Sequence, residues 1–369
     1  MSQVQVKVVP AIDPMITTPL TIEAKAENGA KVSLRKSSAL LELKTIKYKK
    51  STDTSWSDYE FNGENGAEIS LNQGESVSFW SNNAALGQAT GYSTRFSFFS
   101  ISDECYVYGN VMSMIDDQEG ATAENPKFST DEEIGASYAF YNLFRYCKKI
   151  LNHESKELVL PATKLASYCY YCMFYFCEML TEAPELKAET LEEACYRNMF
   201  SYCTSLTKAP ELKAEKLEEG CYRSMFSGCS SLTEAPDLKA KELTRYCYAS
   251  MFNGCTLLTD APEIAAEKVA PFCCQSMFTS CTSLTKAPVL KAKKLEEACY
   301  NFMFSSCSKL GSLTCLATDI TAEWCLSGWL SYAGYKVTGD KILYVDPSMT
   351  TGADWKLPDG SWKVESANN

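Results

Sequence analysis

Eighteen cysteines are the side chains of this 369-residue chain best suited to chemistry, and most of them fall in two columns. Cys169, Cys195, Cys221, Cys247, Cys273, Cys299 and Cys325 recur every 26 positions, and Cys177, Cys203, Cys229, Cys255, Cys281 and Cys307 do the same. Thiols in such numbers could cross-link, ligate zinc or serve as nucleophiles beside histidine. The spacing argues against the first. If Leu217, Cys221, Met225 and Cys229 lie on one face of a helix, the two cysteines are about 12 Å apart, beyond the ~7 Å limit for a disulfide. Pairing along a column would need helices closer than about 8–10 Å. Zinc favours close CxxC pairs or histidines, and the chain has one CxxC, Cys169 with Cys172, and one histidine, His153. Both columns therefore read as buried free thiols, in preference to disulfides or a metal, and no cofactor is expected.

Other reactive constellations are sparse. His153 is the single imidazole, and HExxH, GxSxG, GxxxxGK[ST] and GxGxxG are all absent. The acidic pairs Glu192-Glu193, Glu218-Glu219 and Glu296-Glu297 recur at equivalent places, which suits solvated helix starts better than one glycosidase cleft. The expectation is a protein that is not an enzyme. A better candidate surface follows each proline: Glu185, Glu211, Asp237 and Glu263 form an acidic column, and Lys187, Lys213, Lys239 and Lys291 a basic one. It reads as a solubilising stripe or, more sharply, as a docking face for a protein or glycan. Tyr170, Tyr196, Tyr222, Tyr248 and Tyr300 form an aromatic column better suited to packing than to sugar binding.

The elements that hold these residues come from the repeat CYxxMFxxCxxLxxAPxLxAxxLxxx. A period of 26 without insertion from 169 to 325 means units that stack to bury their apolar sides, that is, a solenoid. Within a unit, LEExCYxxMFxxC is expected as a helical arm on the convex side. The ladder strand is only Leu-Thr-x-Ala, because Pro184, Pro210, Pro236, Pro262 and Pro288 cannot donate to it. The unit from Ala139 to Cys147 is a degenerate first one, four residues longer near LNHESKELVLP. Trp329-Leu330 and Ala333 mark an equally degenerate last one.

Ahead of the repeats, residues 20–115 show short alternating runs such as LTIEAKA, KVSLR and SVSFW. Turn signals at Asn28-Gly29, Asn62-Gly63, Asn65-Gly66 and Asn72-Gln73-Gly74 separate them, predicting an immunoglobulin-like sandwich of about seven strands with Trp56 and Trp80 in its core. Residues 1–19 read as an extended arm able to reach a partner chain, and 116–136 as an acidic linker. The solenoid covers 137–335. Residues 336–369 form a C-terminal cap, with Asp359-Gly360 as a hairpin signal. The fold class is thus an all-β immunoglobulin-like sandwich followed by an α/β solenoid and cap.

The pattern MFxxCxxLxxAPxLxAxxL resembles the BspA-like, or Treponema-type, leucine-rich repeat, over roughly residues 137–335. The preceding stretch, with IKYKK, TSWSDY and ISLNQGESVSFWSNN, resembles the amino-terminal sandwich found with such repeats in proteins of gut Bacteroidota and their phages. The resemblance implies a non-enzymatic recognition or adhesion protein at a cell surface or, alternatively, an architectural virion component such as a fibre or decoration protein. It carries no fixed ligand motif. A net charge of −11 disfavours nucleic acid and anionic membranes. No run of about 18 apolar residues suggests membrane insertion, and MSQVQVKVVPAIDPMITTPL lacks the sections of a secretory signal. An extracellular, cell-surface or virion location is expected.

Overall fold

The computed structural model describes residues 14–90, 93–130, 132–358 and 361–367. It is mostly β, with several sheets and very few helices.

Alternating apolar residues over short runs build two sheets from eleven strands between Thr21 and Asn110. One sheet runs Ile150–Leu151, Cys105–Asn110, Thr21–Ala24, Ser76–Ser81, Ile46–Lys50, Ser57–Asp58. The other runs Phe61–Asn62, Asn65–Gly66, Ala30–Lys36, Thr94–Ile101, Gly87–Ala89, with Ile69–Leu71 also on Ala30–Lys36. Their side chains share one core, where the rings of Phe79 and Phe99 meet at 5.0 Å between centroids. Trp80 is buried there and donates to Asp116 Oδ2 at 2.8 Å, while Trp56 packs at its margin. Asn65-Gly66 is not the turn it resembles. The two residues form a strand, and a Cβ on Gly66 would meet the Tyr59 hydroxyl at 2.4 Å. That hydroxyl accepts from Leu34 N and donates to Ala67 O, so glycine is needed for its approach.

Residues 14–19 and the linker are both anchored. Residues 14–19 are not extended: Pro14–Thr17 is a short helix, Pro19 bridges Asn110, and Asn110 Nδ2 donates to Ile16 O at 3.0 Å. The expected arm over 1–13 and the hairpin signal Asp359-Gly360 lie outside the described residues. Within 116–136, Ala123, Phe128 and Ile134 are buried in the common core, and Asp116 Oδ2 also accepts from Lys127 N. The extra residues of the first unit supply Ile150–Leu151 and Leu158–Val159, which pair in parallel with Cys105–Asn110. Phe99 N donates to Leu143 O at 2.7 Å, so sheet and first unit are joined by backbone as well as by packing.

The expected helical arm is absent, and with it the α part of the α/β class. Phe144, Phe174, Phe200, Phe226, Phe252, Phe278 and Phe304 stack with centroids 5.4–5.8 Å apart. Units this close leave no room for helices, which need about 8–10 Å. The backbone instead alternates its partners. Ala194, Tyr196, Asn198, Phe200 and Tyr202 donate to Glu219, Cys221, Arg223, Met225 and Ser227 of the next unit at 2.7–3.0 Å. The intervening Cys195, Arg197, Met199, Ser201 and Cys203 donate three residues back within their own unit at 3.0–3.3 Å. Each overlapping turn pair places every fourth residue in the left-handed region, as at Ala194 (φ 50°), Asn198 (φ 55°) and Tyr202 (φ 60°). That conformation costs an L-residue roughly 1–2 kcal/mol, and the inter-unit bonds offset it by satisfying every second N–H.

This packing accounts for the thiols without the helix geometry that first suggested it. All eighteen are free and buried. The second column donates across units: Cys203 Sγ to Phe174 O at 3.1 Å, Cys229 to Phe200 O at 3.1 Å, Cys255 to Phe226 O at 3.2 Å. The same Phe carbonyl accepts the N–H three residues on, as Phe200 O does from Cys203 N at 3.0 Å, so both lone pairs are used. Burial pushes the thiols of Cys195 and Cys229 up to about 12.

The ladder strands shrink to single bridges where proline follows, Glu182↔Lys208↔Glu234 and Asp260↔Lys286, within the expected Leu-Thr-x-Ala. Thr314 replaces the proline in the seventh unit, and there Ser312–Cys315 becomes a full strand. It pairs Val289 with Thr314, a slip to 25 residues that the uninterrupted period did not reveal. Lys341–Val345 and Trp362–Ser366 extend this sheet in parallel. In the last unit Leu330 takes the Phe position, and Trp329, at the Met position, is fully buried, stacks on Trp355 and donates Nε1 to Trp355 O at 2.9 Å.

Candidate functional site

Each unit carries its charged residues beyond the proline, and the short bridges bring successive ones together. Lys213 Nζ lies 2.9 Å from Glu185 Oε1, and Lys239 Nζ lies 2.8 Å from Glu211 Oε1. Lys187 reaches Glu185 at 3.8 Å. The opposite columns therefore interlock diagonally, each lysine reaching back one unit. The hydrogen bond to Lys239 holds Glu211 below the usual carboxylate range, and the one to Glu185 raises Lys213. The series then lapses: Ala265 stands where Asp237 would find its lysine, and among the described residues no ion pair joins Glu263 to Lys291. All these side chains are exposed or half-exposed, so solvent screens the pairs and they add little to stability. The tyrosine column is packing: Tyr170, Tyr196, Tyr222, Tyr248 and Tyr300 are all buried.

At its first units the ladder face opens into a cleft of about 520 Å³ lined by His153, Lys156, Glu182, Glu185, Lys208 and Glu211 over an apolar floor that includes Leu158, Leu180 and Pro184. The inserted loop forms one wall. Asn152 locks it down, accepting from the N–H groups of Thr181 and Glu182 at 3.0 Å each and donating to Glu182 O at 2.9 Å. Behind it, Lys156 Nζ lies 2.7 Å from Glu23 Oε2, and Tyr108 donates to the same oxygen at 2.8 Å. The His153 Nδ1 accepts from Ser155 N at 3.1 Å, which leaves the proton on Nε2, facing Glu23 Oε1 at 4.0 Å. The ring packs edge-on against Tyr106 and Tyr108. Among the described residues no group of three His, Cys, Asp or Glu side chains is arranged to hold a metal ion.

The Glu23–Lys156 pair ties the strand Thr21–Ala24 to the cleft wall. Burial works to raise the Glu23 carboxyl, but hydrogen bonds from Lys156 and Tyr108 outweigh it and leave the group below its ordinary 4.5. A lowered folded value stabilises above the unfolded one and is lost as pH falls through the folded one. Lys156→Met is therefore expected to cost about 1–2 kcal/mol at pH 7, between exposed and buried pairs. In urea titrations its deficit against the unsubstituted protein should shrink from pH 7 to an acidic pH at which the lowered Glu23 carboxylate has taken up its proton. A deficit that is the same at both pH values would assign the effect to packing alone.

A second surface was not legible as a column. On the outer side of the turn arm, units one to three carry Tyr141, Tyr146, Tyr171, Tyr175, Phe176 and Tyr202. Tyr141 stacks on Tyr171 at 4.7 Å and Phe176 on Tyr202 at 4.4 Å, while Tyr146 and Tyr202 remain 52% and 41% exposed. Gly228 lets the Tyr202 ring lie flat, since a Cβ there would meet it at 2.6 Å.

With cleft, ladder and outer face defined, the chain stands as an all-β-rich protein of several sheets, and among the described residues no helix is long and apolar enough to cross a membrane. No family model matches it, and neither does a curated protein or a solved structure.

Proposed function

We propose that the chain is a non-enzymatic recognition or adhesion protein: an immunoglobulin-like sandwich, a BspA-like leucine-rich-repeat solenoid of 26-residue units and a C-terminal cap, displayed at a bacterial cell or virion surface. The observation that carries this reading is the ladder face, a long regular surface whose exposed groups repeat at unit spacing and which deepens into the cleft beside His153. Such faces suit extended protein or glycan ligands. The division into a sandwich over 20–115, a solenoid over 137–335 and a cap over 336–369 belongs to the same proposal.

A second reading, an architectural virion component, has its own support: Trp362–Ser366 ends the parallel sheet with one edge unpaired among the described residues, a place for another chain to add a strand. Native mass analysis of the full chain, with glycan-array and host-cell binding, separates the two. A monomer that binds particular glycans or cells supports recognition, and Glu185→Gln with Glu211→Gln should then weaken binding about 5-fold per site, close to 1 kcal/mol. A stoichiometric oligomer without ligand binding supports the architectural role and sinks the first.

A further inference from the structure

The outer face of the turn arm holds three guanidinium groups without carboxylate partners. Arg145 lies over the rings of Tyr146 and Tyr175 at 4.7 and 5.4 Å, Arg197 over Tyr171 at 5.5 Å, and Arg223 over Tyr246 at 4.7 Å. Among the described residues no acid lies within ion-pair distance of any of the three, in a chain where acids outnumber bases 46 to 35. The Nε atoms of Arg145 and Arg197 are buried with no hydrogen-bond acceptor. Arg197 and Arg223 occupy the same position in adjacent units, and burial, with Arg197 nearby, lowers Arg223. By contrast Arg245, one unit on, has Glu219 at 3.9 Å. A fold that supplies carboxylates to its ladder lysines leaves these three guanidinium groups without one.

We propose that this face binds an acidic polysaccharide, a polymer of uronic acid residues, with the guanidiniums of Arg145, Arg197 and Arg223 as forks for the carboxylates and the exposed parts of the Tyr146 and Tyr202 rings beside them as apolar contacts for the sugars. Guanidinium matches a carboxylate in two parallel hydrogen bonds, and stacking on an aromatic ring holds its plane fixed for that contact. The partly exposed hydroxyl and amide groups of Asn198, Ser224 and Ser227 lie on the same stretch of backbone and can donate to sugar hydroxyls. A nucleic acid fits less well. Its phosphate density calls for many clustered cations, whereas this face offers three on a chain of net charge −11. None of these residues lines the ladder cleft, so the site stands apart from the reading proposed above.

The test is a titration of the full chain with polygalacturonate, dextran, poly-L-glutamate and an oligothymidylate at two salt concentrations. Polygalacturonate should bind and weaken with salt, and the other three should bind at least about 10-fold more weakly, since each lacks either the carboxylate or the sugar face. Arg197→Gln and Arg223→Gln should each reduce affinity about 10-fold, the scale of one charged hydrogen-bonded contact. Arg223→Lys, which keeps the charge and loses the fork, should recover only part, and its urea midpoint checks folding. Absence of polygalacturonate binding overturns the proposal. So do equal binding of poly-L-glutamate, which would indicate an acidic protein partner, and preference for the oligothymidylate. Affinity unchanged in the arginine variants but lost in Lys213→Gln would move the polysaccharide to the ladder, so failure here and failure of the ladder reading are told apart.

Discussion

Replacing Phe226 with alanine is expected to destabilise the protein by about 3–5 kcal/mol, the range for deleting a fully buried aromatic side chain. Phe226 is 0% exposed and lies between Phe200 and Phe252, both at 5.8 Å and nearly parallel to it. The substitution leaves the backbone ladder in place, because the Phe226 carbonyl still accepts from Cys229 N and Cys255 Sγ. What is lost is ring contact on both sides. Units touch only their neighbours, so the damage falls on two adjoining interfaces and cannot be spread through a wider core. Urea unfolding should show a lower midpoint and a broadened or split transition as the two halves of the stack uncouple. Phe302→Ala is the matched control. Phe302 is 44% exposed on the outer face, resting on Gly328, and its loss should cost no more than about 0.5–1 kcal/mol. Equal costs at the two positions would mean that the ring column is not what holds the units together.

Much of this arrangement was legible because the period is strict. The Leu-Thr-x-Ala segment pairs at the level of backbone bonds, with Thr233 N donating to Thr207 O at 3.0 Å and Thr285 N to Thr259 O at 2.9 Å. The prolines confine the ladder to single bridges as their missing N–H requires. The helical arm misled for a physical reason. A chain of overlapping turns with a left-handed residue every four positions buries Cys195, Met199 and Cys203 on one side, the same spacing that a helix gives over two turns. Eight residues are too few to separate a period of 4 from 3.6. The distinguishing quantity, the distance between units, is not written in any one of them. The aromatic and arginine face escaped notice because it breaks the repeat. Arg197 and Arg223 share a position that Tyr171 fills one unit earlier and Ala249 one unit later, so no column betrays it. Glu23, Tyr108 and Lys156 are separated by up to 133 positions and meet through sheet pairing that local patterning does not encode.

The central claim is that register between units, not the content of any one unit, holds the molecule together, and deletion tests it most directly. Removing the 26 residues from Cys247 to Phe272 joins Tyr246 to Cys273 and keeps every inter-unit donor opposite an acceptor. Removing only Cys247 to Thr259 sets turn arm against ladder, leaving buried N–H groups unpaired at about 1–3 kcal/mol each and the Phe column broken. The comparison is urea unfolding together with hydrogen exchange at the indole N–H of Trp329, which is bonded to Trp355 O at the far end of the stack. The whole-unit deletion should fold with those tryptophans still buried and a cooperative transition. The half-unit deletion should expose them without denaturant. If both deletions unfold the C-terminal units alike, or both are tolerated alike, register between units is not what holds the stack together.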